Sequence, residues 1–131
     1  MSLTIEDDGT NVRITVDMNG NLPPKLSDEE TVGVGVNLYA TSSQTESDYQ
    51  VFVDGGSDGW FAYLDTPKGF VDYPGTFQLG GARMVFVLPW ASLGGLKGTG
   101  FDVFEDWASS ELVPKSSYDR APDNGRTAFS R

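Results

Sequence analysis

The chain has no histidine and no cysteine among its 131 residues. Without histidine it lacks the side chain that ordinarily titrates near neutrality, and a Ser-His-Asp triad cannot form. Without cysteine there is no thiolate nucleophile, no disulfide framework and no thiolate metal site. Basic residues are also few: 9 Lys and Arg stand against 19 Asp and Glu, a formal net charge of −10. A chain of that sign repels polyanions, which argues against nucleic acid and anionic membrane surfaces as partners. Calcium, cationic partners and neutral ligands such as sugars stay compatible, and the acidity alone also serves solubility. No apolar run approaches the roughly 20 residues of a membrane span, so membrane insertion is not expected. The start, Met1 to Glu6, has neither the basic nor the apolar region of a signal peptide. We read residues 1–131 as one domain. Either the protein is cytosolic or this is a mature or excised domain; the composition, with 16 Gly, many Ser, Thr, Asp and Asn and only four Lys, favours the second, a module of a larger extracytoplasmic protein working outside the cell or at its surface.

Short β-patterned segments broken by turn residues fill the chain, with 16 Gly, 8 Phe, 5 Tyr and 3 Trp spread through them. Val12, Ile14, Val16 and Met18 alternate with polar residues, the period of a half-buried strand. Val32, Val34, Val36 and Leu38 alternate with Gly33, Gly35, Asn37 and Tyr39. Glycine at every second position weakens a strand unless something packs closely over that face. Segments 49–53 and 60–64, joined by a glycine- and aspartate-rich turn, read as a hairpin. Further strands are expected at 76–79, 83–88, 101–107 and 127–129. Segment 83–88 is apolar on both faces and belongs in the middle of a sheet, and 89–93 can form one helical turn. No segment holds a helical period. Seven or eight such strands imply an all-β, two-sheet antiparallel β-sandwich.

The order of pieces carries a resemblance. An apolar strand runs into a proline-started turn ending in Leu-Gly (Val85-Phe86-Val87-Leu88-Pro89-Trp90-Ala91-Ser92-Leu93-Gly94), an aromatic strand follows (Phe101 to Trp107), and the chain closes with Asp119-Arg120-Ala121-Pro122-Asp123-Asn124-Gly125. Over residues 31–125 this pattern resembles the family-nine type of carbohydrate-binding module and the related DOMON-like β-sandwiches of bacterial and archaeal surface proteins. The resemblance implies a jelly-roll-like sandwich that binds sugar chain ends between aromatic rings and often holds calcium. DOMON relatives that carry haem use axial His and Met ligands; with Met1, Met18 and Met84 but no histidine, this chain cannot hold haem in that way.

Sugars present apolar C–H faces rimmed by hydroxyls, so flat rings with carboxylate, amide or Arg partners are the chemistry to look for. Alternation places Tyr39, Phe52, Phe61 and Tyr63 on the face opposite Leu38, Val53 and Leu64, with Asn37, Gln50 and Asp65 among them. From that surface we take Tyr39, Tyr63 and Trp107 as candidate stacking residues and Asn37, Gln50 and Asp65 as polar partners. The competing reading has these rings covering the sheet beneath a loop, since aromatic residues favour strands for packing alone. Trp60 is expected in the core and Trp90 as a plug at one end of the sandwich.

Calcium takes six to eight oxygen ligands. Asp54, Asp58 and Asp65 flank a hairpin turn, but Gly56 occupies the third position of a would-be EF-hand loop and turn chemistry alone explains the aspartates. Glu105, Asp106, Asp119 and Asp123 form a second candidate set for one ion; alternatively, Asp119 and Asp123 shape the closing turn by bonding to nearby backbone N–H groups. Gly55-Gly56-Ser57-Asp58-Gly59 spells Gly-x-Ser-x-Gly, but in a hairpin turn and with no histidine to pair with, so it is no nucleophile elbow, and no P-loop or dinucleotide glycine pattern is present. A glycosidase needs only two carboxylates, but they must share a cleft that a sandwich of this size has little chain to build. The expectation is a non-catalytic module that binds carbohydrate, or alternatively a structural or protein-interaction module, calcium-stabilised or not, with no sugar site.

Overall fold

The computed structural model describes residues 1–26, 28, 30–40, 46–96, 99–108, 116–122 and 126–129, with the backbone alone at 99–108, 116–119 and 127–128. These residues form eleven strands: β1 (Ser2–Asp7), β2 (Asn11–Asp17), β3 (Thr31–Tyr39), β4 (Tyr49–Gly56), β5 (Gly59–Thr66), β6 (Gly69–Asp72), β7 (Thr76–Gly80), β8 (Arg83–Pro89), β9 (Thr99–Ala108), β10 (Ser116–Ala121) and β11 (Thr127–Phe129). The one helical element described is a 3₁₀ turn at Trp90–Leu93. Four strands make one sheet in the order β1-β2-β8-β7. The other seven make the second, in the order β10-β9-β3-β4-β5-β6, with β11 also paired to β9. All pairings are antiparallel, and the fold is the expected all-β two-sheet sandwich.

Period-two patterning decides which side of each strand is buried. Val12, Ile14 and Val16 of β2 and Met84, Phe86 and Leu88 of β8 face Val32, Val34, Val36 and Leu38 of β3 and Val51 and Val53 of β4 in one apolar core. As its two apolar faces require, β8 is central, paired to β2 on one side and β7 on the other. Three strands go beyond the eight expected: β1, β6 and β10. Each has at most a short apolar alternation of its own, and each lies at a sheet edge, where one neighbour suffices.

Trp90 closes one end of the sandwich, as expected. Only 2 % exposed, it stacks on Phe129 with centroids 5.8 Å apart, and its indole N–H donates to Asp7 Oδ1 at 2.7 Å. Trp60 packs against the core and its indole N–H donates to Pro23 O at 2.9 Å.

The crossing from β6 to β7 passes tightly over β8. Tyr73 packs edge-on to Phe86 at 6.2 Å, and its hydroxyl reaches Thr76 O at 2.7 Å and Val87 O at 3.1 Å. Burial pushes this phenol well above its ordinary range. At Gly75 a Cβ would stand 1.9 Å from the Val87 carbonyl oxygen, part of the backbone of a central strand that cannot give way. Gly75→Ala is expected to cost about 3 kcal/mol, the upper end for overpacking. A lower urea midpoint at unchanged m-value would show it.

Candidate functional site

Register builds one continuous surface on the outer side of β3, β4, β5 and β6. Asn37 pairs with Gln50, Gln50 with Asp65, and Asp65 with Phe70; one row along, Gly35 pairs with Phe52, Phe52 with Tyr63, and Tyr63 with Asp72. A third row joins Gly33, Asp54 and Phe61. Residues that alternation assigns to one face are thus brought together by adjacency of four consecutive strands.

The rings of this face are packed against one another. Phe52 and Tyr63 lie nearly parallel, 11° apart with centroids at 6.0 Å, and Phe70 stands across Tyr63 at 76° and 6.3 Å. Phe52 is seated by a glycine: a Cβ at Gly33 would come within 3.0 Å of its Cζ. The close packing that a glycine-alternating strand requires is therefore supplied by Phe52 itself. Phe61 and Phe70 remain 54 % and 71 % exposed, an outlay of apolar ring surface that folding alone does not require.

Polar groups surround the rings. Gln50 Nε2 donates to Asn37 Oδ1 at 2.7 Å, which fixes the amide of Gln50 beside Phe52. The Tyr63 hydroxyl donates a hydrogen bond to Asp54 Oδ2. That bond, together with desolvation and the carboxylate charge, raises the Tyr63 phenol above its ordinary value. A raised phenol pKa contributes stability below about pH 10, and the contribution is lost as pH rises through the folded-state value. Absorbance at 295 nm is therefore expected to show Tyr63 and Tyr73 ionising later than ordinary tyrosines. Asp54→Asn should bring one of the late transitions down towards about pH 10. A Tyr63 midpoint unmoved by that substitution would contradict the assignment.

Gln50, Phe52, Asp54, Tyr63, Phe70 and Asp72, with Val71 at the margin, line an open groove of about 550 Å³. A second depression of about 600 Å³ adjoins it, sharing Tyr63 and Asp54 and extending past Phe61 to Asp28 and Asp58.

Of the candidate sugar-site residues, Tyr63, Gln50, Asn37 and Asp65 sit together on this face, with Tyr63 at its centre. Tyr39 does not join them. It is 6 % exposed and the Arg126 guanidinium lies 3.3 Å from its ring centroid, a cation–π contact that covers the ring. The Trp107 side chain lies outside the described residues; backbone register aligns it with Val32, in the buried row of β3, and aligns Asp106 with Gly33. The side chains of Glu105, Asp106 and Asp119 also lie outside the described residues, as does Asp123 entirely, although β9–β10 register sets Glu105 opposite Asp119. Among the described residues no group of three or more acidic side chains is placed to hold a metal ion.

Phe70 and Asp72 are members of this face that strand alternation does not reach. They belong to β6, whose four residues are too few for a period; the signal was the Pro67-Lys68 turn, which closes Thr66 onto Gly69 and folds the chain back along β5. No helix among the described residues is long and apolar enough to cross a membrane. No protein-family model matches the chain, and neither a curated protein nor a solved structure matches it.

Proposed function

We propose that this domain is a non-catalytic carbohydrate-binding module and that the outer face of β4–β6 is its sugar platform. The observation that carries the reading is the ring cluster of Phe52, Tyr63 and Phe70, packed and seated yet exposed at Phe70 and at neighbouring Phe61. Exposed rings offer the apolar faces of sugars a partner of matching shape. Gln50, Asp65, Asp72 and the Tyr63–Asp54 pair supply hydrogen-bonding groups around them. Packing against neighbours also holds the rings in place, which lowers the entropy lost on binding. A composition rich in glycine, serine and aspartate and poor in lysine fits work outside the cytoplasm, as part of a larger surface protein.

The test is a glycan array probed with the purified domain in calcium buffer and again with a chelator. Binding to a defined class of sugar that Tyr63→Ala abolishes supports the platform. Loss of binding with chelator alone would add calcium to the account. An array blank under both conditions would leave the exposed rings to a protein partner instead.

A further inference from the structure

Among the described residues, the charged side chains that line the groove and the adjoining depression are all of one sign: Asp54 and Asp72 in the first, Asp28, Glu30, Asp54 and Asp58 in the second. Arg120 shares the Gly35–Phe52–Tyr63 row by register, but β9 and β3 separate it from Phe52. The chain as a whole carries −10 and so adds a field of the same sign. Electron-rich ring faces flanked by carboxylates attract cations twice over, through the ring quadrupole and through direct Coulomb interaction. A ligand with carboxylates of its own, such as a uronic acid chain, meets repulsion along the whole surface.

The shape adds a direction. Phe61 and Tyr63 are two residues apart on one face of β5, about 7 Å along the strand, and Phe70 continues the rings on β6 beside Asp65. The two depressions meet at Tyr63 and Asp54, so an extended ligand can run from Phe70 and Asp72, over Tyr63, to Phe61 and Asp58. A neutral sugar chain uses the rings and leaves the carboxylates with only hydroxyl partners. A sugar chain bearing free amines uses both.

From this juxtaposition of exposed rings with aspartates that no described lysine or arginine joins in either depression, we infer that the preferred ligand is an amine-bearing sugar chain, a polymer containing unacetylated glucosamine. The inference rests on the sugar-binding reading and deepens it. Stacking holds the sugar faces on Tyr63 and its neighbours, and ammonium groups pair with Asp72 and Asp58 on either side.

Three oligosaccharides of one length and linkage, built from glucosamine, N-acetylglucosamine or glucose, differ only in whether each unit carries an ammonium, an acetamide or a hydroxyl. Calorimetric titration of the full domain at mildly acidic pH and low salt is expected to give binding about tenfold tighter for the glucosamine chain. That advantage should shrink towards the level of the other two near 1 M salt, where the Debye length is about 3 Å. Asp72→Asn, which keeps a hydrogen-bonding side chain at an exposed edge position, should weaken the glucosamine chain roughly three- to fivefold more than it weakens the glucose chain. Equal binding of all three chains, or an ammonium preference untouched by both salt and Asp72→Asn, would overturn the inference while leaving sugar binding in place. Oligolysine binding as tightly as the glucosamine chain would also overturn it, because the site would then read charge without sugar. A blank with all three chains and across a glycan array would remove the sugar-binding reading itself.

Discussion

Trp90→Ala is expected to lower the unfolding free energy by about 3–5 kcal/mol, the range for emptying a large aromatic site in a packed interior. Trp90 is 2 % exposed and ties three separate parts of the chain together. Its ring stacks on Phe129 of β11, its indole N–H bonds to Asp7 at the end of β1, and its backbone N–H donates to Thr10 O in the β1–β2 turn at 3.0 Å. Alanine leaves a void at the end of the sandwich and also frees β11, a three-residue strand that among the described residues pairs only with β9. Against a typical total of about 5–15 kcal/mol, such a loss removes a large share of the stability. Trp90→Phe separates the contributions: it keeps a ring on Phe129 and loses the bond to Asp7, so it should cost less, though the smaller ring adds to the roughly 1 kcal/mol of the hydrogen bond. Urea titrations of the two variants, followed by circular dichroism, give both numbers. Similar small losses for both would mean that Trp90 is not the plug its burial implies.

The second large effect concerns binding. Tyr63→Ala is expected to weaken sugar binding by about 2 kcal/mol, roughly thirtyfold, as truncation of a central aromatic anchor does. Tyr63 is flanked by Phe52 at 6.0 Å and Phe70 at 6.3 Å, so its removal opens the middle of the platform and loosens both neighbours. It lies on the outer face, away from the core built by Val51, Val53 and Leu64, so the domain should stay folded. Tyr63→Phe keeps the ring and removes the bond to Asp54. If stacking is the main interaction, the phenylalanine variant retains most of the affinity. If the hydroxyl rather than the ring carries the interaction, the two variants will bind alike.

The outer face was legible in the sequence for a definite reason. In β3, β4 and β5 apolar and other residues alternate, and antiparallel neighbours keep same-face residues together once the pairing is consecutive. That is why Asn37, Gln50, Asp65 and Tyr63 could be assigned to one surface without coordinates. The position of Arg83 to Leu88 in mid-sheet could be read as well, because residues apolar on both sides need neighbours on both sides.

What the sequence did not reveal depends on contacts distant along the chain. Alternation places Tyr39 outward, but it is Arg126, 87 positions later, that covers its ring. Edge strands are hard to see because one paired neighbour and little burial leave almost no pattern: Phe70 and Val71 of β6 are 71 % and 47 % exposed. β1 has only Leu3 and Ile5 to mark it, although the Asp8-Gly9 turn was an available signal. In that turn the Asp8 carboxylate accepts the backbone N–H groups of Thr10 and Asn11, which also hold its pKa below the ordinary carboxylate range. The pairing of β3 with β9, which sets one edge of the outer face, joins segments some seventy residues apart and leaves no local trace.

The central claim is that ligand binds on the rings of β4, β5 and β6. Its most direct test is a titration of the isotopically labelled domain with the tightest-binding sugar from the array, followed by amide and aromatic NMR shifts. The account predicts that the perturbed signals form one contiguous patch containing Gln50, Phe52, Tyr63, Phe70 and Asp72, with Val12, Ile14 and Trp90 unmoved. Perturbations centred on the opposite sheet, around Arg13, Gln78 and Arg83, or no saturable shift with any sugar, would contradict it.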